Sequence, residues 1–172
     1  MFSLENQSVK IAHFNARSEK HGDENVSAGD LKFEVTCSNT ALDHFDKALK
    51  KMLYRKPGAG EQTDLPLNDH DGLTARKLPH LAPLKWDEDF PGYGLSITTG
   101  LALDEALTLD DVELSNFVFE ALDGGSVTIT FRASFHPDGR TSGKLCQLIQ
   151  ETVDITLTPP DADEGEQQKL AA

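Results

Sequence analysis

The chain has 172 residues, 38% of them hydrophobic, and a formal net charge of −13. Its apolar share, with nine Phe, suffices for a core, since a domain near this size buries roughly 70% of its unfolded surface. No apolar run approaches the ~18 residues of a membrane span. The opening Met1-Phe2-Ser3-Leu4-Glu5-Asn6 shows neither the basic nor the apolar region of a secretory signal. Cys37 and Cys146 are too few for a disulfide scaffold. They read as two small buried apolar residues, and a reducing cytoplasm suits them.

Charge is unevenly spread. Residues 1–85 balance acids against bases, and residues 86–172 carry the whole excess. Between Trp86 and Phe131 there are ten Asp or Glu and no Lys or Arg. The field of the whole protein disfavours broad phosphate binding, and only the first half could present a basic face. The acidic stretch reads as a solvating surface or, through Asp104, Glu105, Asp110, Asp111 and Glu113, as a face for a basic partner.

In chain order, Ser8–Arg17 alternates loosely as a first strand, and His21–Asp30, polar with Gly22 and Gly29, reads as a loop. Leu31–Cys37 alternates strictly and predicts a half-buried strand. Ala41, Leu42, Phe45, Ala48, Leu49, Met52 and Leu53 then fall on one helical stripe, with Thr40 and Asp43 as a capping pair and Pro57-Gly58 as the stop. Residues 57–80 read as a long loop of the kind often mobile or functional. A short extended piece over Leu81–Trp86 and a strand through Tyr93, Leu95, Ile97 and Thr99 follow, and Leu101–Leu109 is irregular. Val112–Leu122 and Ser126–Phe135 meet at Asp123-Gly124-Gly125 as a hairpin. Gly143–Glu151 predicts a short helix, and Val153, Ile155 and Leu157 a last strand that ends at Pro159-Pro160. The remaining acidic tail lacks the apolar content to pack.

The expectation is an α+β fold: mainly antiparallel β-sheet or sandwich of about six or seven strands with two helices. Residues 1–158 would form one domain and 159–172 a disordered acidic tail.

The familiar chemistry motifs fail on spacing. Gly139-Arg140-Thr141-Ser142-Gly143-Lys144-Leu145 resembles a phosphate loop, but the glycines stand one residue too close and Leu145 replaces the magnesium-binding hydroxyl. Asp69-His70-Asp71-Gly72 resembles the middle of a calcium loop, but Leu67 and Leu78 occupy its first and twelfth positions. The histidines at 13, 21, 44, 70, 80 and 136 show no metal-ligand spacing, although His70 and His80 could meet Asp69 or Asp71. No cofactor, metal site or catalytic residue is assigned. Lys47, Lys50, Lys51, Arg55 and Lys56 cluster at the helix end around Tyr54. A basic patch holding an aromatic suits single-stranded DNA, whose bases stack on exposed rings. The same lysines also compensate a helix dipole.

Leu31–Lys56 and Gly92–Pro159 resemble a group of small tailed-bacteriophage proteins of unknown function. The matching pieces are Asn39 to Tyr54 around Leu42-Asp43-His44-Phe45-Asp46, the strand after Gly92-Tyr93-Gly94, the hairpin at Gly124-Gly125, and Val153–Pro160. The resemblance implies a phage or prophage origin and a role beside DNA replication, recombination or host takeover, in the cytoplasm of a bacterial host. The resulting expectation is a non-enzymatic binding protein acting in DNA metabolism or on a host protein. A small metal-dependent enzyme and a homo-oligomeric structural subunit are the alternatives.

Overall fold

Period-two alternation runs through most of the computed structural model, which describes residues 1–61, 71–98 and 106–160. Nine strands are found there: β1 Leu4–His21, β2 Glu24–Ser38, β3 Tyr54–Arg55, β4 Ala75–Arg76, β5 Leu84–Trp86, β6 Phe90–Thr98, β7 Leu107–Ala121, β8 Ser126–Phe135 and β9 Thr152–Thr158. Six pair antiparallel in the order β7-β6-β9-β1-β2-β8, and β8 returns to β7. The result is a closed six-stranded barrel, more specific than the expected sheet or sandwich. β5 adds a seventh strand, pairing with the far end of β7 on the side that β6 occupies earlier. Closure removes open edges along the lengths over which the six strands are paired.

Bulges make closure possible. The register of β1, β6 and β7 slips against their partners at several points. Asn6 (φ 45°), Asp111 (φ 54°) and Asn116 (φ 54°) take left-handed backbone at three of them. An extra residue on one strand bends it and increases local twist, and six strands need that curvature to meet.

Inward residues of every barrel strand share one core with Phe2, Leu42, Leu49, Leu53, Tyr54 and Leu145. Phe2 is wholly buried, its ring 5.8 Å from those of Phe117 and Phe131, and its carbonyl accepts from the Tyr93 hydroxyl at 2.9 Å. A buried Phe contributes about 1.5–3 kcal/mol over an exposed one. The segment read only as lacking a secretory signal therefore contributes to the core.

Several expected elements are corrected. The continuous helix over 41–53 is two pieces: a 3-10 turn at Asn39–His44 and a short helix α1 at Leu49–Leu53. The cap is Ser38, whose hydroxyl accepts from the Thr40 amide, and not Thr40 itself. Between the pieces the Asp46 carboxylate accepts from the Ala48 amide at 2.6 Å, a local bond that competes with helix continuation. The break lets Phe45 enter an aromatic cluster with Phe2, Phe117 and Phe119. The stripe itself is inward at Leu42, Leu49 and Leu53, whereas Met52 is half exposed.

His21–Asp30 is not a loop. Only Gly22-Asp23 turn, and β2 begins at Glu24. Gly29 misleads as a breaker because its role is close packing: a Cβ there would sit 2.8 Å from the Phe14 ring. The second helix, α2, spans Gly139–Gln147 and starts four residues before the expected one, because Asp138 caps it by accepting from the Thr141 amide at 2.6 Å. Strand β7 begins at Leu107, inside the stretch expected to be irregular; Leu101–Glu105 and Thr99 lie outside the described residues, as does the tail from Asp161. Neither cysteine is bridged: Cys37 is half-buried and Cys146, expected inside, is exposed. Burial pushes the Cys37 thiol up to about 11. No helix among the described residues is long and apolar enough to cross a membrane.

Candidate functional site

The basic cluster read from 47–56 is divided by the fold. Tyr54 is buried, and its hydroxyl donates to the Ser126 carbonyl, so the ring is not offered to a base. Burial pushes that hydroxyl up to about 12. Lys50 is only 3% exposed and lies 3.5 Å from the Asp71 carboxylate. Arg55 makes a two-point pair with Glu61 at 2.7 and 2.8 Å. This hydrogen bonding holds the Glu61 carboxyl down at about 2. Lys47, Lys51 and Lys56 remain exposed. The pairing of β3 with β4 brings Arg76 and Lys77 to the same corner, where Arg76 is matched by Asp123 at 2.8 Å.

Asp110, Asp111 and Glu113 are exposed on β7, with Asp111 at a bulge, while Asp104 and Glu105 lie outside the described residues. Asp69 and His70 lie outside them as well; His80 is exposed. Among the described residues no group of three or more His, Cys, Asp or Glu is placed to hold a metal ion.

A different set of residues converges on the outer face of the barrel. A groove of about 810 Å³ crosses β1, β2, β8, β7 and β5. Its wall is built by register alone. His13 on β1 stands opposite Lys32 on β2, Lys32 opposite Arg132 on β8, and Arg132 opposite Ser115 on β7. Adjacent strands lie about 4.8 Å apart, so these side chains form a continuous row. Lys85 on β5 pairs with Val118 on β7 and lines the same groove. Asn15 and Thr130 add hydrogen-bonding groups between the charges.

Two acids border the groove. Asp30 is already engaged, accepting from Arg17 at 3.1 Å on both carboxylate oxygens and from Ser134 at 2.7 Å. Asp87 sits at the β5 rim. The lining therefore holds three permanent cations against one engaged and one rim carboxylate, in a chain whose net charge is −13.

Arg132 is the most constrained of the cations. Its Nε donates to the Ser115 hydroxyl at 3.2 Å, and Ser115 is buried. Hydrogen bonding sets the Asn116 amide with its oxygen toward the guanidinium, 3.1 Å from Nη2 and 3.2 Å from Nε.

Sequence reading did not assemble this set. His13, Lys32, Lys85 and Arg132 lie on different strands, each alone among neutral or acidic neighbours. One signal was available: Arg132 is the first basic residue after the acidic stretch from Trp86 to Phe131, and it falls on the polar face of an alternating strand. No protein-family model, curated protein or solved structure matches the chain.

Proposed function

We propose that the protein is a non-catalytic binding protein of bacteriophage type that acts in DNA metabolism in the bacterial cytoplasm, and that it holds single-stranded DNA in the outer groove. The observation that carries this reading is the in-register row of His13, Lys32 and Arg132 in a groove that Lys85 also lines. Cations arrayed along an open groove follow a polyanionic strand, and neutralising its phosphates releases counterions. The resemblance of Leu31–Lys56 and Gly92–Pro159 to small phage proteins supports the setting.

Fluorescence anisotropy with a labelled oligonucleotide at about 50 mM salt, where phosphate contacts are strongest, tests it. Binding should weaken with a slope of log K against log salt near −2, since three cations each contribute about −0.7 on a single strand. No binding at that salt removes the reading. A second reading places a host protein on β7, where Asp110, Asp111 and Glu113 are exposed at a bulge. Charge reversal at Asp110 and Asp111 that leaves every captured partner in place would eliminate it.

A further inference from the structure

We infer that the groove holds the sugar–phosphate backbone of a strand and leaves its bases unread, an inference that rests on the single-strand reading above. Of the three aromatic residues bordering the groove, two are withdrawn into the core and the third, the half-buried Trp86, is already packed against other rings. Phe117 and Phe131 are fully buried and stack on each other inside the barrel, 5.7 Å apart. Trp86 sets its indole edge-on to Phe45 and against Phe119, each 6.3 Å away, and donates Nε1 to Glu88 at 3.0 Å. Beside the half-buried Trp86 and Val118, the groove is lined by Lys32, Lys85, Arg132 and the hydrogen-bonding side chains of His13, Asn15 and Thr130. Base–aromatic stacking is the usual grip on unpaired bases, and this lining offers phosphate chemistry in its place.

Arg132 supplies the geometry. A guanidinium is a planar fork that matches two phosphate oxygens at once. Here Ser115 and Asn116 hold the Nε–Nη2 edge of that fork, which leaves the Nη1 side for another acceptor. Asn116 can reach it because the β7 bulge puts its backbone at φ 54°, a conformation uncommon outside glycine. Backbone held in such a region clusters at ligand clamps, where it fixes a side chain in advance. Lys32 on the neighbouring strand and Lys85, which lines the same groove, then act as point charges on adjacent phosphates.

The test compares a thymidine oligonucleotide of about 16 nucleotides, the upper end of what single-strand-binding barrels cover, with an abasic strand of the same length. The two should bind with affinities within about threefold of each other. Emission from Trp86, the chain's one Trp, should change little. A loss of about five- to 150-fold per base on the abasic strand, the size of a stacking contribution, would overturn the inference and leave the single-strand reading standing. Strong quenching of Trp86 by the thymidine strand alone would do the same. Failure of both strands to bind removes the reading and the inference together. Asn116→Gly keeps the left-handed backbone and deletes the amide. It should weaken both strands alike with an unchanged salt slope, and full affinity in that variant would overturn the oriented fork.

Discussion

Two basic groupings in this chain behave in opposite ways. Lys47, Lys50, Lys51, Arg55 and Lys56 fall within ten residues of sequence, and folding separates them: Lys50 turns in against Asp71, Arg55 is matched by Glu61, and Tyr54 between them enters the core. His13, Lys32, Lys85 and Arg132 are scattered over four strands, and folding collects them on one groove. A local cluster keeps its meaning only while the local element is regular, and here Asp46 breaks the helix. Residues on paired strands are brought together by register, which is blind to their separation along the chain.

Charge reversal is the strongest way to break this contrast. Lys32→Glu with Arg132→Glu should lower affinity for a single strand by at least about 100-fold, since each charge-assisted hydrogen bond contributes about 1.5–3 kcal/mol. Lys51→Glu with Lys56→Glu should cost no more than about threefold. All four side chains are exposed, so circular dichroism should report unaltered folding in both double variants. If the helix-end pair loses the greater affinity, the contrast is inverted and the groove is not the site.

Tyr54 sharpens the same comparison at smaller scale. Its hydroxyl donates to Ser126 across the seam between the helix end and β8. Tyr54→Phe removes that bond and keeps the ring, so stability should fall by about 1 kcal/mol, read from the urea midpoint. Oligonucleotide affinity should not move. A binding defect without a stability change would return Tyr54 to the ligand surface.

Much of the framework was legible because period two is a local signal. Val127, Ile129, Phe131, Ala133 and Phe135 alternate with Thr128, Thr130, Arg132 and Ser134, and the barrel buries the first set while turning the second outward. Two features misread because their causes are tertiary. Gly29 has the look of a breaker, yet it is small so that Phe14 can lie over it in contact with Phe135. Phe2 gives no pattern at all, since chain termini are seldom core, yet four aromatic rings surround it. Closure and the groove were out of reach for a related reason: Lys32 meets Arg132 only through the β2–β8 register. Neither hydrophobic alternation nor turn chemistry specifies that pairing. The bulge that brings Asn116 beside Arg132 depends likewise on how β7 crosses from one neighbour to the next.

The smallest expected effect concerns the corner where the sequence cluster ended up. Arg55 holds the Glu61 carboxyl at about 2, and Arg76 holds that of Asp123 below the usual carboxylate range. Both folded values lie below the unfolded ones, so these pairs favour the folded chain fully above the unfolded value near 4 and lose that contribution as pH falls toward the folded values. The urea midpoint should therefore drop between about pH 5 and pH 2, and Glu61→Gln with Asp123→Asn should drop less steeply. Exposure keeps the difference small, and added salt should shrink it further. If the double variant keeps the full slope, the acid sensitivity belongs elsewhere. Asp138 is then the next carboxylate to replace, because the Thr141 amide it accepts from holds its carboxyl down while it caps α2. An Asp138→Asn variant that flattens the profile would move the acid-labile point from the basic corner to the helix beside β1, and the corner's ion pairs would be surface pairs with no measurable share in stability.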